Sequence, residues 1–235
     1  MIRKSVFVGF VMLLGVFVYF MVGDESLGSK KVKEVIALGD SLTYGYGDAS
    51  NEGYTGKLEE NLNHKFRNRI YDIQNYGIIG QETSQVMQQL IKPPLSEELN
   101  EADYFIVFIG TNDLINSNGG DLAPIYHNEI MIAKKEYLEN LEAIIENIES
   151  SNDDAPILLL GLYNPYPQGE KIEQYIDNWN QSIKRMAIKN SRITYIPVND
   201  VFKGKDKKEY FHDSLHPNGK GYELISKRIE EKYKF

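Results

Sequence analysis

Residues 35–43, VIALGDSLT, decide the fold class of this chain. Four apolar residues are followed at once by Gly39, Asp40 and Ser41, which is the pattern of a buried strand ending in a turn. Across residues 54–66 the apolar side chains then recur at helical spacing, so the order is strand, loop, helix. This order is typical of the repeating unit of an α/β fold.

The same alternation continues to the C-terminus. Further strands are predicted at residues 70–73, 104–109, 156–160 and 193–198, and further helices at 137–148, 172–186 and 222–229. The run YFIVFI at 104–109 is apolar throughout, so we expect a central strand covered on both faces. Five alternating strands predict a parallel sheet with helices on both faces and a ligand cleft beyond the carboxyl ends of the strands.

The N-terminal segment differs in composition from the rest of the chain. Residues 6–22 carry no charge, and they follow Arg3 and Lys4 and precede Asp24 and Glu25. Basic residues before an apolar run predict that the following domain lies outside the membrane. The run fits a retained anchor, which we favour, or a cleaved signal. We predict a membrane anchor or signal segment at 1–23, a polar tether at 24–34 and one domain at 35–235, held outside the cell membrane or secreted if the segment is cleaved.

Composition excludes several classes of function. The net charge of -8 argues against nucleic-acid binding, which requires a basic face. Cysteine is absent, which excludes disulfides, thiolate catalysis, cysteine zinc sites and a lipidated N-terminal cysteine. Because His64, His127 and His212 lack the spacing of metal ligands, the sequence predicts no metal and no cofactor.

Polar residues that could carry chemistry follow the predicted strands. Ser41 comes directly after the first strand, where a turn towards a helix leaves backbone N–H groups free. Asp213 and His216 lie in FHDSLHPN, residues 211–218, between the last strand and the last helix. Serine becomes a nucleophile when an imidazole accepts its proton and a carboxylate orients that imidazole. Taken singly, Ser41 could equally cap a helix, and Asp213 could be a solvated loop residue.

Two further blocks could stabilise a negative oxygen. GTND at 110–113 follows the third strand, and NYGIIGQ at 75–81 follows the second. An ester's tetrahedral intermediate needs hydrogen-bond donors, which the side chain of Asn112 and the backbone N–H groups of Gly80 and Ser41 would supply. Found singly, the glycines would be turn residues and Asn112 a loop cap.

The blocks in this order resemble the GDSL or SGNH hydrolase superfamily, named for its Ser, Gly, Asn and His. The resemblance extends from about residue 35 to the C-terminus, and it is strongest to bacterial lipase- or acylhydrolase-like members. It implies a flavodoxin-like three-layer α/β sandwich, the SGNH hydrolase fold. It also implies a list of roles: Ser41 as nucleophile, Asp213 and His216 as the rest of a triad, and Gly80, Asn112 and Ser41 as oxyanion donors. Gly77 lies in the same block as Gly80 and stays an alternative donor.

The sequence therefore predicts a serine ester hydrolase, with a small-molecule ester or thioester, a lipid or an acylated sugar as substrate. Two alternatives remain open. One is a cell-surface binding module that keeps the cleft without turnover. The other is an acyltransferase, in which a hydroxyl of a cell-wall sugar replaces water as the acceptor, because the same residues would serve both reactions.

Overall fold

The fold is built on a parallel β-sheet. The computed structural model describes residues 30–121, 123–165 and 170–235. Within them the strands are β1 (Lys31–Gly39), β2 (Arg69–Gly77), β3 (Tyr104–Phe108), β4 (Ile157–Leu160) and β5 (Ile193–Ile196). Their order across the sheet is β2-β1-β3-β4-β5, which is the flavodoxin-like order. The apolar strand β3 therefore lies at the centre, as predicted.

Neighbouring strands run parallel and in register. Ile36 of β1 lies opposite Phe105 of β3, Ile106 of β3 opposite Leu158 of β4, and Leu158 opposite Thr194 of β5. The prediction of an α/β fold with a five-stranded parallel sheet is confirmed. Because the strands are parallel, the segments that follow β1, β2 and β3 meet at one edge of the sheet.

Helices cover both faces of the sheet. They are α1 (Ser41–Tyr44), α2 (Gly53–Lys65), α3 (Thr83–Leu90), α4 (Leu95–Glu98), α5 (Thr111–Ser117), α6 (His127–Ser151), α7 (Glu170–Ile188), α8 (Lys207–Tyr210) and α9 (Gly219–Lys232). Helices α3, α6 and α7 contribute buried side chains to the core on one face, and α2 and α9 contribute to the core on the other. The predicted flavodoxin-like three-layer sandwich, the SGNH hydrolase fold, is confirmed.

The two cores follow from the alternation of side chains along β1. Ile36 and Leu38 point into the core formed with α3, α6 and α7, whereas Val35 and Ala37 point into the core formed with α2 and α9. A strand buried on both faces reads as a continuous apolar run, which is why residues 35–38 show no polar alternation.

The N-terminal boundary differs from the prediction. Strand β1 begins at Lys31, so residues 31–34 are strand rather than tether. Asp103 is the reason, because its side chain pairs with Lys33 and accepts the Glu34 N–H at 3.1 Å. The predicted anchor or signal at 1–23 and residues 24–29 of the tether lie outside the described residues. Within the described part of the chain, no helix is long and apolar enough to cross a membrane.

Three elements at the cleft are longer than predicted or were not predicted. β2 continues past residue 73 to Gly77, since an edge strand tolerates the polar residues there. α3 is short, and a capping box between Glu82 and Gln85 defines its start. α5 begins at Thr111, inside the GTND block, so this block opens a helix rather than forming a loop.

Candidate active site

Ser41 lies at the junction of β1 and α1. Asp40 caps α1, because its Oδ1 accepts the N–H of Leu42 at 2.9 Å. A Cβ added to Gly39 would lie 2.3 Å from the carbonyl oxygen of Phe108, so only glycine fits between β1 and β3 here. The GDS sequence therefore makes a tight turn that holds Ser41 at the carboxyl end of β1. Ser41 has 5% of its surface exposed.

The structure brings Ser41, His216 and Asp213 into one hydrogen-bonded chain. Ser41 Oγ lies 3.0 Å from His216 Nε2, and His216 Nδ1 lies 2.8 Å from Asp213 Oδ2. Asp213 Oδ1 also accepts the N–H groups of Leu215 and His216, each at 2.7 Å. Partial burial raises the pKa of Asp213, but these hydrogen bonds outweigh it and hold the pKa below its usual value. These contacts favour the ionised form of Asp213 beside the imidazole.

The segment that carries His216 is held at several points. The N–H of His212 donates to the carbonyl oxygen of His216 at 2.9 Å, which closes the loop on itself. Tyr163, buried after β4, donates its hydroxyl to the carbonyl oxygen of Leu215 at 2.6 Å. Asn218 then caps α9 by accepting N–H groups of its first turn. The loop therefore presents His216 to Ser41 in a defined position.

Asn112 lies in the first turn of α5, the helix that follows β3. Its Nδ2 donates to the carbonyl oxygen of Gln81 at 2.9 Å and lies 3.5 Å from Asp40 Oδ2. The bond to Gln81 fixes the plane of the amide. Among the residues that the structure describes, the second N–H of Asn112 has only the long contact to Asp40, so it is the one that could donate to a substrate oxygen.

Gly77 and Gly80 have different surroundings. The Gly77 N–H donates to Asn75 Oδ1 at 2.9 Å, and a Cβ added to Gly77 would lie 2.3 Å from the backbone nitrogen of Tyr44. Gly77 therefore allows β2 to pack against α1. Gly80 has a φ of +79°, a Cβ there would meet nothing within 4 Å, and its N–H makes no hydrogen bond to any residue that the structure describes. This geometry favours Gly80 as the donor.

Two carboxyl groups for which the sequence predicted no role lie behind the site: Asp40 is buried, and Asp113 is partly buried. Burial raises the pKa of Asp40 to about 7 and that of Asp113 to about 6. Asp113 accepts both the hydroxyl and the N–H of Thr83, at 2.5 and 3.1 Å, and so connects α5 to α3. The only signal for these residues in the sequence was their place inside the GDSL and GTND blocks. Within the described residues, no three His, Asp or Glu side chains are grouped to hold a metal ion.

Comparison with known proteins agrees with this arrangement. Residues 37–224 match the model of the GDSL-like lipase/acylhydrolase family. The chain belongs to this family. Ester hydrolysis is the activity of such GDSL-type enzymes, and the chain is accordingly an esterase or acylhydrolase that acts on ester bonds.

Relatives of this GDSL hydrolase include two Bacillus proteins. The spore germination lipase LipC of Bacillus licheniformis is 30% identical over 82% of this chain and 92% of its own length. The protein YpmR of Bacillus subtilis is 28% identical over 90% of this chain and 87% of its own length. Among solved structures, the lipase Lip_vut3 from a goat rumen metagenome has a TM-score of 0.74 and 27% identity, over 85% of this chain and 97% of that one.

Proposed function

We propose that this GDSL hydrolase cleaves carboxylic esters through an acyl-enzyme formed on Ser41. The observation that carries the proposal is the hydrogen-bonded chain from Ser41 Oγ through His216 to Asp213, with distances of 3.0 and 2.8 Å. Ser41 Oγ attacks the carbonyl carbon of the ester while its proton moves to His216 Nε2. Asp213 accepts the hydrogen bond from Nδ1 and stabilises the imidazolium.

The tetrahedral intermediate carries a negative oxygen that needs donors. The backbone N–H groups of Gly80 and Ser41 and the side-chain N–H of Asn112 that does not donate to Gln81 serve as this oxyanion hole. When the intermediate collapses, His216 gives its proton to the leaving alcohol. Water then attacks the acyl-enzyme and loses a proton to His216, and the acid leaves as Ser41 regains its proton.

The substrate class that the site favours is an ester with an apolar acyl chain. Ile78 and Ile79 directly precede Gly80, and they are 49% and 52% exposed. Large exposed apolar side chains beside a proposed oxyanion donor favour contact with an apolar chain over contact with an acetylated sugar. The lipases LipC and Lip_vut3 among the similar proteins support the same class.

The location of the enzyme is a further part of the proposal. Residues 6–22 carry no charge and follow Arg3 and Lys4, which supports a domain held outside the membrane by its N-terminal segment. Esters of lipids at the membrane surface are then within reach of the catalytic domain.

The test is hydrolysis of p-nitrophenyl acetate, butyrate and octanoate by the wild type, Ser41→Ala and Ser84→Ala. Ser84 is the matched control, since it is exposed on α3 and lies outside the hydrogen-bonded chain of the site. We expect Ser41→Ala to lose turnover and labelling by a fluorophosphonate, Ser84→Ala to keep both, and the octanoate ester to be the best substrate.

Other outcomes would select the alternatives. A folded wild-type protein that neither turns over an ester nor reacts with the fluorophosphonate would be a binding module. Acyl transfer to a sugar hydroxyl in preference to water would identify an acyltransferase. A preference for the acetate ester would contradict the proposed substrate class and leave the serine mechanism standing.

A further inference from the structure

The loop that follows α1 packs directly against the loop that carries His216. Gly47 makes this contact possible. It has a φ of +94°, and a Cβ added there would lie 2.6 Å from the carbonyl oxygen of Pro217 and 2.9 Å from Cβ of His212. Any side chain at residue 47 would push the two loops apart. The neighbouring residue, Tyr46, is thereby brought to the imidazole of His216.

Tyr46 is held at both ends of its backbone. Its N–H donates to the carbonyl oxygen of Ser41 at 3.0 Å, and its own carbonyl oxygen accepts the hydroxyl of Tyr222 at 2.7 Å. The first bond fixes the position of Tyr46 relative to Ser41, and the second connects it to α9. The backbone of Tyr46 therefore has a defined place beside the serine.

The ring of Tyr46 contacts the ring of His216. The two ring centroids lie 4.6 Å apart with an angle of 61° between the planes, and the ring of His212 lies 6.0 Å away on an edge-on contact. Asp213, the other partner of the imidazole, is partly exposed, with 38% of its side chain accessible. The hydrogen bonds at Nδ1 and Nε2 leave the imidazole able to rotate about the line that joins these two atoms, whereas an aromatic ring packed against it restricts that motion.

We propose that Tyr46 is a positioning residue for His216, and this inference rests on the proposed serine mechanism. Tyr46 holds the imidazole so that Nε2 stays 3.0 Å from Ser41 Oγ. The packing surface of the ring does this, so the tyrosine hydroxyl is not required. Because proton transfer depends strongly on the position of the base, loss of the ring slows the chemical step rather than weakening substrate binding.

The experiment compares Tyr46→Phe and Tyr46→Leu with the wild type in the full-length chain. For p-nitrophenyl acetate, we expect Tyr46→Leu to lower kcat about tenfold with KM within about twofold, and Tyr46→Phe to restore kcat to within about twofold. The rate of inactivation by a fluorophosphonate is expected to fall by the same factor in Tyr46→Leu, because that reaction also needs His216 to take the serine proton. A purely structural role would not separate kcat from KM in this way.

Tyr44→Leu is the matched control. Tyr44 is 42% exposed against 39% for Tyr46, and its ring contacts no other ring in the part of the chain that the structure describes. We expect Tyr44→Leu to keep the wild-type kcat. If thermal denaturation shows that Tyr46→Leu loses its fold, Tyr46→Met tests the same point with a longer, unbranched side chain that adapts more easily to the space.

Three results would overturn the inference. They are a wild-type kcat in folded Tyr46→Leu, an equal loss in Tyr46→Phe, and a rise in KM alone, which would make Tyr46 a substrate contact. In each case Ser41→Ala would still abolish turnover, so the proposed function would stand. If the wild type neither hydrolyses esters nor reacts with the fluorophosphonate, the proposed function fails, and the role of Tyr46 fails with it.

Discussion

Asn112 shows how one side chain connects two of the blocks at the site. Its amide donates to the carbonyl oxygen of Gln81, which links the GTND block after β3 to the segment after β2. The neighbouring carboxyl of Asp40 is buried and has a raised pKa. Substitution of Asn112 tests the proposed oxyanion donor, and substitution of Asp40 tests the buried acid.

The first test is Asn112→Ala. We expect kcat for p-nitrophenyl butyrate to fall about 100- to 1000-fold, since one oxyanion donor is lost. The free energy of unfolding, measured in urea, is expected to fall by only about 1 kcal/mol, because one hydrogen bond to Gln81 is lost.

Asn116→Ala is the control for this change. Asn116 lies one turn further along α5, and its side chain donates to Glu82 at 2.7 Å. We expect it to keep wild-type kcat. Equal losses of kcat in both variants would show that α5, rather than the amide of Asn112, is what the reaction requires.

The second test is the pH dependence of stability in Asp40→Asn. Burial raises the pKa of Asp40 in the folded protein to about 7, above the value of about 3.9 typical of an unfolded chain. Between about pH 4 and 7 the folded protein therefore retains a proton that the unfolded chain has released. Stability falls as the pH rises through this window and is level above it.

Asparagine at residue 40 keeps the cap on α1 and does not titrate. We expect urea unfolding to show that Asp40→Asn gains stability relative to the wild type as the pH rises from 5 to 8. The other titrating groups are common to both proteins and cancel to first order. A stability difference that is constant over this range would contradict the raised pKa.

At the scale of elements, the end of β2 and the segment before α3 contain the two candidate oxyanion donors, Gly77 and Gly80. The sequence predicted β2 only as far as residue 73 and did not predict α3, because edge strands and short capped helices have weak apolar patterns. The longer β2 brings Gly77 against α1 and leaves Gly80 in open space. We expect both glycines to be needed, for different reasons.

Alanine substitutions separate these reasons. We expect Gly77→Ala to lower the free energy of unfolding by about 3 kcal/mol, because its Cβ would overlap the backbone of Tyr44. Gly80→Ala has space for its Cβ, but a φ of +79° costs an alanine about 1 kcal/mol, a strain that the backbone relieves by changing φ. Gly80→Ala is expected to fold and to lose about tenfold in kcat, because a relaxed φ displaces its N–H from the oxyanion. If Gly77→Ala instead folds with the higher stability of the two and is the variant that loses kcat, Gly77 would be favoured as the donor.

At the scale of the whole molecule, the fold of the catalytic domain is confirmed, whereas the role of the N-terminal segment is a prediction. The sheet begins at Lys31, so a chain of residues 30–235 contains every described strand and helix. The roles of 1–23 as anchor or signal and of the remaining tether stay predictions.

Cell fractionation tests the proposed location. We expect cells that produce the full chain to carry esterase activity in the membrane fraction, on a domain that added protease can reach. Removal of residues 1–29 is expected to leave the activity soluble inside the cell with the same kcat/KM for p-nitrophenyl butyrate. Activity of the full chain in the soluble interior would contradict an outer location, and activity released to the medium would identify a cleaved signal.

The sequence by itself determined the fold class and the family. Strands buried on both faces are apolar over consecutive residues, as in 35–38 and 104–108, so a parallel sheet can be read locally. The order of the blocks after these strands resembles that of the GDSL hydrolases, and this resemblance predicts the family.

Only the tertiary structure decided the geometry of the site. Ser41 and His216 are 175 residues apart in the chain, and no local pattern encodes a contact over that separation. The contact of Tyr46 with His216, the open N–H of Gly80 and the burial of Asp40 likewise depend on which elements pack together. Burial and ring contacts are properties of the folded environment, because neighbours distant in the chain supply the low dielectric and the packing surface.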